Sequence, residues 1–264
     1  MSPTAELPLS ISIISFNESA NIGRTLDSIK AIASEIVVVD SHSTDNTLEI
    51  AEAKGAKVYV EDWKGHIRQK NSALERCTQP WILSLDCDEV VSLELQKAII
   101  RAVTQGTQPG YRINRRTFYL GKMLRYAWQP DWNLRLVRKD AGPRWVGYDP
   151  HDRLQIDGRC GRLNVDLIHY SYTDLRDHMQ RLVAYAEITA NSYHRNGKRF
   201  QWHHLLINPQ AAFIKKYLLK RAYLDGRQGF FFSMSSFIYV FLKYLFLWEI
   251  EKNMAGSEKL KDDI

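Results

Sequence analysis

Cysteine is scarce in this 264-residue chain: only Cys77, Cys87 and Cys160 occur. The number is odd and no pair has C-x-x-C spacing, which argues against a disulfide framework and a cysteine zinc site. Three unpaired thiols fit a reducing compartment. The N-terminus, MSPTAELPLS, lacks a basic stretch followed by an apolar run, so no signal peptide is expected and the chain should stay in the cytoplasm or on its membrane face. There is no internal repeat, no low-complexity linker and no helix-turn-helix or RNA-binding signature, so nucleic acid is not an expected partner.

What is present suits one large α/β domain with an appended tail. Hydrophobic residues make up 45% and charged residues 25%, ordinary values for a folded protein. The net charge of +6 favours polyanionic partners such as anionic lipid or phosphorylated substrates.

The first 105 residues alternate between two periodicities. Residues 9–15 (LSISIIS) read as a strand, and Ile22, Leu26 and Ile29 then recur at helical spacing. Residues 35–40, EIVVVD, form the nearly continuous β-branched run of a strand buried on both faces. Thr44 and Asp45 can cap a helix over 47–54 that Gly55 ends. A strand over 56–60, a helix over 68–76, a strand over 81–85 and a helix over 93–103 follow. Such β-α alternation predicts an open, mostly parallel sheet with flanking helices, whose ligands lie beyond the carboxyl ends of the strands. Phe16, Asp40 and Asp86 all fall at those ends. Further on, residues 111–118 and 134–138 read as strands. Residues 175–194 read as an amphipathic helix with Leu175, Met179, Leu182, Ala186 and Ile188 or Thr189 on one face.

The strongest chemical signal is Leu85-Asp86-Cys87-Asp88-Glu89, directly after a buried strand. Two carboxylates one residue apart can chelate a hard divalent cation, Mg²⁺ or Mn²⁺, that also binds phosphate oxygens. The alternative is a cluster favouring a helix N-terminus. The second signal is Ile14-Ser15-Phe16-Asn17-Glu18 with Val39-Asp40-Ser41-His42-Ser43-Thr44-Asp45-Asn46. Asp40 can accept from a nucleobase edge and Phe16 can lie against its face. Helix capping is the alternative role for Thr44 and the expected one for Asp45. Arg135 and Arg138 alternate with Leu134, Leu136 and Val137 and would either face an anionic acceptor or be solvated.

Together these motifs resemble the family 2 glycosyltransferases of GT-A fold, a Rossmann-like α/β architecture. Trp145-Val146-Gly147 leading to His151-Asp152, Leu167-Ile168-His169-Tyr170, and Tyr223-Leu224-Asp225-Gly226 before an aromatic tail resemble the lipopolysaccharide core glucosyltransferase-like branch. The resemblance spans about residues 7–250. It implies that Asp40 contacts the donor base, that Phe16 and Glu18 line the nucleotide pocket, and that Lys70, beside Asn71, meets the nucleotide. Asp86 and Asp88 would hold diphosphate and metal, with His169 a further metal ligand; a lone histidine beside a strand is otherwise simply hydrogen-bonded. The chain has Ser41 where many members carry a second Asp, and Asp152 where relatives of this branch carry Glu. Inversion needs one carboxylate to deprotonate the acceptor hydroxyl. Asp152 is the candidate, ahead of Asp149 and Asp131; a surface Pro-Asp turn is the alternative. The branch implies transfer of a hexose, glucose from a UDP-glucose donor, to a lipid-linked acceptor such as an inner-core heptose.

Residues 230–248, FFFSMSSFIYVFLKYLFLW, follow Lys215, Lys216, Lys220, Arg221 and Arg227. Basic residues beside an aromatic, apolar segment suit an interfacial helix on anionic lipid, and a homo-oligomer interface is compatible too. The expected organisation is therefore a catalytic domain over 7–195 and a membrane-associating helical region over 196–255, peripheral or monotopic on the cytoplasmic face of the inner membrane. Two rivals differ in observable ways. A membrane-docked nucleotide-sugar binding protein would keep Asp40 and Asp86 but lack a base. A nucleotidyltransferase would carry a Gly-rich phosphate loop where this chain has ISFNES.

Overall fold

The computed structural model describes residues 7–148 and 151–262. Its first part follows the expected alternation: β1 Leu7–Ser15, α1 Ile22–Asp27, β2 Ala33–Asp40, α2 Thr47–Ala53, β3 Lys57–Val60, α3 His66–Arg76, β4 Trp81–Ser84, β5 Glu89–Val90 and α4 Leu93–Gln105. Strands β3, β2, β1 and β4 lie side by side and parallel. β2 is buried on both faces. Ile36 and Val38 join Leu9, Ile11, Ile13, Leu83 and the helical residues Ile22, Leu26, Leu95 and Ile99. Val37 and Val39 join Ile82, Val137, Ala73, Leu74, Trp145 and Leu154 on the other side. A strand with two apolar faces has no polar face to alternate with, hence its sequence.

Helix α1 is shorter than its spacing predicts. It ends at Asp27, and the Ser28 hydroxyl donates to the Thr25 carbonyl at 2.7 Å, a side-chain bond that competes with further helix. Ile29 is fully buried nonetheless, so its hydrophobic spacing reflects burial beyond the helix end. Gly55 does take a positive φ, 87°, after α2, as the end of that helix requires.

The chain then adds β6 Gly110–Tyr119, β7 Lys122–Met123, β8 Trp132–Arg138, β9 Arg144–Tyr148, β10 His151–Gln155 and β11 Gly161–His169. The sheet continues from β4 through β8, β6 and β11 to β5. β8 is antiparallel to both β4 and β6, and β11 is antiparallel to β5. β9 and β10 form a separate antiparallel ribbon in which Asp152 pairs with Gly147 and Leu154 with Trp145.

Two compact units result. One contains the residues up to Arg116 with Pro130–Tyr170; the other contains Thr117–Gln129 with the residues from Ser171 onward. The second unit carries α5 Leu175–Arg195, α6 Trp202–Leu206, α7 Asn208–Ile214 and α8 Arg227–Asp262. Asp174 caps α5 by accepting from the Asp177 N–H at 2.8 Å. The buried stripe of α5 is His178, Leu182, Ala186 and Ala190, one residue every four. Of the residues expected inside, Leu182 and Ala186 are buried, whereas Leu175 and Ile188 are exposed; Thr189, the alternative to Ile188, bonds Tyr239 of α8 at 2.9 Å, and the small Ala190 packs with Tyr244 and Leu247 of α8. Asp225, from the Tyr-Leu-Asp-Gly motif, is buried and accepts from the backbone N–H groups of Arg125, Tyr126 and Ala127 at 2.8, 2.9 and 2.9 Å. Its role in this structure is to pin that loop. Within α8, Arg227–Asn253 is long and apolar enough to cross a membrane, and only 28% of its most apolar stretch is buried.

Candidate active site

The central position of β1 sets the geometry. Its neighbours on either side are β2 and β4, all parallel, so three carboxyl ends stand together at one edge of the sheet. Two turns there pass through left-handed backbone, at Asn17 (φ 53°) and His42 (φ 60°), a conformation that asparagine and histidine enter more readily than most residues. The loops following β1 and β2 are knitted together. Asn17 N–H donates to Ser43 Oγ and its side-chain oxygen accepts from Thr44 N–H, both at 2.8 Å. Glu18 N–H donates to Thr47 Oγ1 at 2.8 Å and Ser19 N–H to Asp45 at 3.1 Å. Asp45 also accepts from Thr47 N–H at 3.0 Å, the capping role expected of it.

Asp40 lies beneath these loops with no exposed surface. It accepts from Ser15 Oγ at 2.7 Å, Ser43 N–H at 2.7 Å and Ser43 Oγ at 2.6 Å. A carboxylate offers roughly four acceptor positions, so one is left. Phe16 is 56% exposed beside it. The Glu18 carboxylate accepts from Asn21 Nδ2 at 2.9 Å.

Beyond β4, Leu85 N–H still bonds Ser12 O at 3.0 Å, and the acidic run then leaves the sheet. Cys87 is buried with its thiol on Ile14 O at 3.2 Å. Burial pushes that thiol well above its ordinary range, and the carboxylates of Glu18, Asp88, Asp86 and Asp40 add to the effect. The thiol is thus ringed by acids from all three loops.

Asp86 is the meeting point. Arg135 Nη2 is 2.9 Å from one carboxylate oxygen and Arg115 Nη1 3.7 Å; Lys70 Nζ is 3.4 Å from the other. Burial alone would raise the Asp86 pKa, but Lys70, Arg135 and Arg115 outweigh it and hold the carboxyl well below its ordinary range. Glu89, wholly buried, pairs with Arg135 at 2.5 Å and accepts from Asp86 N–H at 3.0 Å. Burial, and then the charge of Asp86, push Glu89 upward. Arg135 is 3% exposed. It sits one residue beyond the Leu136–Leu83 pair, which antiparallel pairing brings to the carboxyl end of β4. It is neither solvated nor free to face an acceptor; Arg138, by contrast, is exposed and paired with Asp140.

Lys70, on α3, also reaches Asp152 at 2.8 Å and lies 4.3 Å over the Trp145 ring. One ammonium therefore bridges Asp86 of the acidic run and Asp152 of β10. Burial would lower the lysine pKa, yet Asp86 and Asp152 raise it above the ordinary value, so Lys70 stays charged. Its neighbour Asn71 fixes the ribbon to α3: Nδ2 donates to Trp145 O at 3.0 Å and Oδ1 accepts from Trp145 N–H at 2.8 Å. Asp131 is 2.8 Å from Arg115 Nε and also bonds Asn133. Asp149 lies outside the described residues.

Asp88 and His169 meet because β11 pairs with β5, placing His169 opposite Glu89; Tyr170 N–H then bonds Asp88 O at 2.9 Å. His169 Nε2 is 3.2 Å from Asp88 Oδ2, and Asp88 Oδ1 is buried without a hydrogen-bond partner. An orphaned buried carboxylate oxygen is costly and fits a divalent cation. Among the described residues no group of three or more His, Cys, Asp or Glu side chains could hold a metal ion. Asp88 and His169 would therefore leave most positions of such an ion to substrate phosphate and water.

The structure thus joins Asp86 and Asp152 through Lys70 and pairs Asp88 with His169, with Phe16, Glu18 and Asp40 at the neighbouring strand ends. Sequence reasoning did not place Arg115, Arg135 or Glu89 in the charged cluster, nor Asn71 as the anchor of the ribbon. The alternation of residues 134–138 was a visible signal, but only the pairing of β8 with β4 gives it meaning.

Comparison with known proteins agrees with this architecture. The family described as "Glycosyl transferase family 2" matches residues 10–148. The lipopolysaccharide core biosynthesis glycosyltransferase LpsC of Rhizobium meliloti (strain 1021) is 29% identical over 249 residues, covering 90% of this chain and 90% of that protein. The uncharacterized glycosyltransferase RP128 of Rickettsia prowazekii (strain Madrid E) is 31% identical over 264 residues, covering 96% and 89%. Among solved structures, the mannosyltransferase PcManGT from Pyrobaculum calidifontis, in complex with GDP-Man and Mn²⁺, superposes with a TM-score of 0.52 at 16% identity, over 93% of this chain and 88% of that one.

Proposed function

The chain belongs to glycosyl transferase family 2, and from that premise we propose that it is an inverting, metal-dependent enzyme. It transfers a hexose, glucose from UDP-glucose, to a lipid-linked acceptor such as an inner-core heptose of lipopolysaccharide. The relation to LpsC, named for lipopolysaccharide core biosynthesis, supports the acceptor class. The observation that carries the mechanism is the Lys70 bridge between Asp86 and Asp152. It sets a carboxylate base beside the acidic run that receives the diphosphate.

In this reading Asp152 takes the proton of the acceptor hydroxyl as that oxygen bonds to the anomeric carbon. The bond from that carbon to the diphosphate oxygen breaks, and its electron pair leaves with the nucleoside diphosphate. General-base help of this kind contributes about 10²–10⁴ in rate. Asp88 and His169 would hold Mg²⁺ or Mn²⁺; when bound, the ion neutralises charge on the departing diphosphate. Lys70 turns from Asp152 toward the incoming diphosphate and frees the base. Arg135 and Arg115 keep Asp86 ionised. Asp40 gives its remaining acceptor position to a base N–H, Phe16 covers the base, and Glu18 closes the pocket wall.

The helical region over residues 196–255 serves as the membrane-associating part. Leu218, Leu219 and Leu224 are exposed, Leu219 by 75%, and they alternate with Lys215, Lys216, Lys220 and Arg221. Apolar side chains among basic ones suit an anionic bilayer surface. We place the enzyme as a peripheral or monotopic protein on the cytoplasmic face of the inner membrane.

The test is a panel of nucleotide sugars with Mn²⁺ or Mg²⁺, read by thermal stabilisation, followed by NMR of the product made from the stabilising donor. A UDP-hexose should stabilise most and the product should have the anomeric configuration opposite to the donor's. A product that keeps the donor's configuration refutes the single-base mechanism.

A further inference from the structure

We propose that Lys198 and Lys243 together form a binding site for the phosphate of an anionic membrane phospholipid. The proposal deepens, and rests on, the membrane reading above. It starts from two tyrosines, Tyr193 of α5 and Tyr244 of α8, whose ring centroids are 6.1 Å apart. Lys198 follows the turn at Gly197, where its N–H bonds Tyr193 O at 3.0 Å. Its ammonium is 4.1 Å from the Tyr193 centroid and 5.2 Å from that of Tyr244, and donates to Tyr244 Oη at 3.2 Å. Lys243 comes from α8 to the same rings, 5.1 and 4.9 Å away, and donates to Tyr193 Oη at 3.4 Å. His204 stacks on Tyr244 at 4.7 Å.

Two ammonium groups therefore converge on one pair of rings, and among the described residues neither forms a salt bridge. The nearby carboxylate of Glu251 accepts from the Phe200 N–H instead. The tyrosine faces offset only part of the repulsion. Each ammonium has three donors and makes one hydrogen bond here, so both have donors left for an anion. Burial, and then the charge of Lys198, lower the Lys243 pKa, as expected for a cation without a counter-ion.

The surroundings select the anion's source. Lys243 lies in the apolar stretch of α8, 28% of which is buried. Tyrosines at such a position sit where headgroups meet acyl chains. A phosphate held there on a lipid would keep its tails along the uncovered face of α8; a free phosphate would gain nothing from that face.

The experiment is co-flotation of the full chain with vesicles of phosphatidylcholine alone or with 30 mol% phosphatidylglycerol (roughly one anionic lipid in three). A basic side chain near an anionic surface is worth about 5-fold in partitioning, so two are worth about 30-fold. Lys198→Gln should weaken binding to the anionic vesicles about 5-fold, and K198Q/K243M about 30-fold. Both should bind phosphatidylcholine like the parent and release UDP from the donor at the parent's rate. Lys198 is only half-buried, so the single variant is a fair test even where the double variant folds poorly. Unchanged binding of Lys198→Gln to anionic vesicles overturns the site and leaves the membrane reading standing. A parent that binds neither vesicle overturns both. Competition by millimolar inorganic phosphate without any vesicle preference shows a free-phosphate site and also overturns the proposal.

Discussion

Glu35 offers a direct test of how the sheet's other end is held. Its carboxylate is 5% exposed and receives Ser10 Oγ, the Thr78 N–H at 2.7 Å, the Thr78 hydroxyl at 3.0 Å and Lys57 Nζ at 2.9 Å. Burial raises its pKa, but the bonds from Ser10, the Thr78 N–H, Lys57 and the Thr78 hydroxyl bring it down from 4.5 to about 2. The folded value is below the unfolded one. The stabilisation is therefore fully present above about pH 4.5 and is lost as pH falls toward 2. The difference corresponds to about 3 kcal/mol. Glu35→Gln should lower stability by about that amount at pH 7 in urea unfolding followed by tryptophan fluorescence. The gap between variant and parent should narrow steadily from pH 5 to pH 3. Lys57→Met should do much less, because that side chain is 61% exposed and water screens the pair. A constant gap across this pH range would refute the reasoning, since neutral Gln and ionised Glu could not then differ through charge.

Asp152→Asn should retain donor binding and lose about 10²–10⁴ in kcat, measured by initial rates and isothermal titration; full turnover would place the base elsewhere. Asp88→Asn should abolish the metal-dependent part of donor binding, seen as a loss of Mn²⁺-dependent thermal stabilisation, while leaving the parent's metal-free melting temperature almost unchanged. Arg135→Met removes the partner of the buried Glu89 and the partly exposed Asp86 and should cost about 3–5 kcal/mol, with the loss reduced in the double variant with Glu89→Gln. A Cβ on Gly229 would lie 1.8 Å from Ala222 O and 2.9 Å from Asp225 Cβ. Gly229→Ala should therefore destabilise the second unit by about 1–3 kcal/mol or more, seen as faster proteolysis after residue 171.

The β-α alternation was readable because each element buries a distinct pattern: EIVVVD on two faces, α4 through Leu95, Ala98, Ile99 and Ala102 on one. The acidic run after β4 was readable because a parallel strand must deliver its carboxyl end to the ligand edge. The order of β8, β6, β11 and β5 was not, since antiparallel partners distant in sequence leave no local trace. On the inner face of α5, Leu182 and Ala186 follow the expected spacing, but size decides the rest, with Ala190 buried and Ile188 exposed. For Asp40 the residue type and position were evident, but not that Ser15 and Ser43 would already hold it.

The two halves of the sheet divide the electrostatic work. The parallel half delivers the acids: Asp40 from β2, and Asp86 and Asp88 after β4. The half that runs through antiparallel pairs delivers what those acids need: Arg135 from β8, Arg115 from β6, and His169 from β11. The Asp86 carboxyl would otherwise be pushed toward its protonated form by its partial burial. It could then neither attract Lys70 nor direct that ammonium away from Asp152. The arginines of β8 and β6 therefore act one step before the chemistry. They help hold Asp86 ionised; in the proposed mechanism the Lys70 shared with that carboxylate couples the arrival of an anionic diphosphate to the release of the base. Parallel strands with their helices would carry the acidic signature with Lys70 alone, without the two arginines that share in keeping it charged.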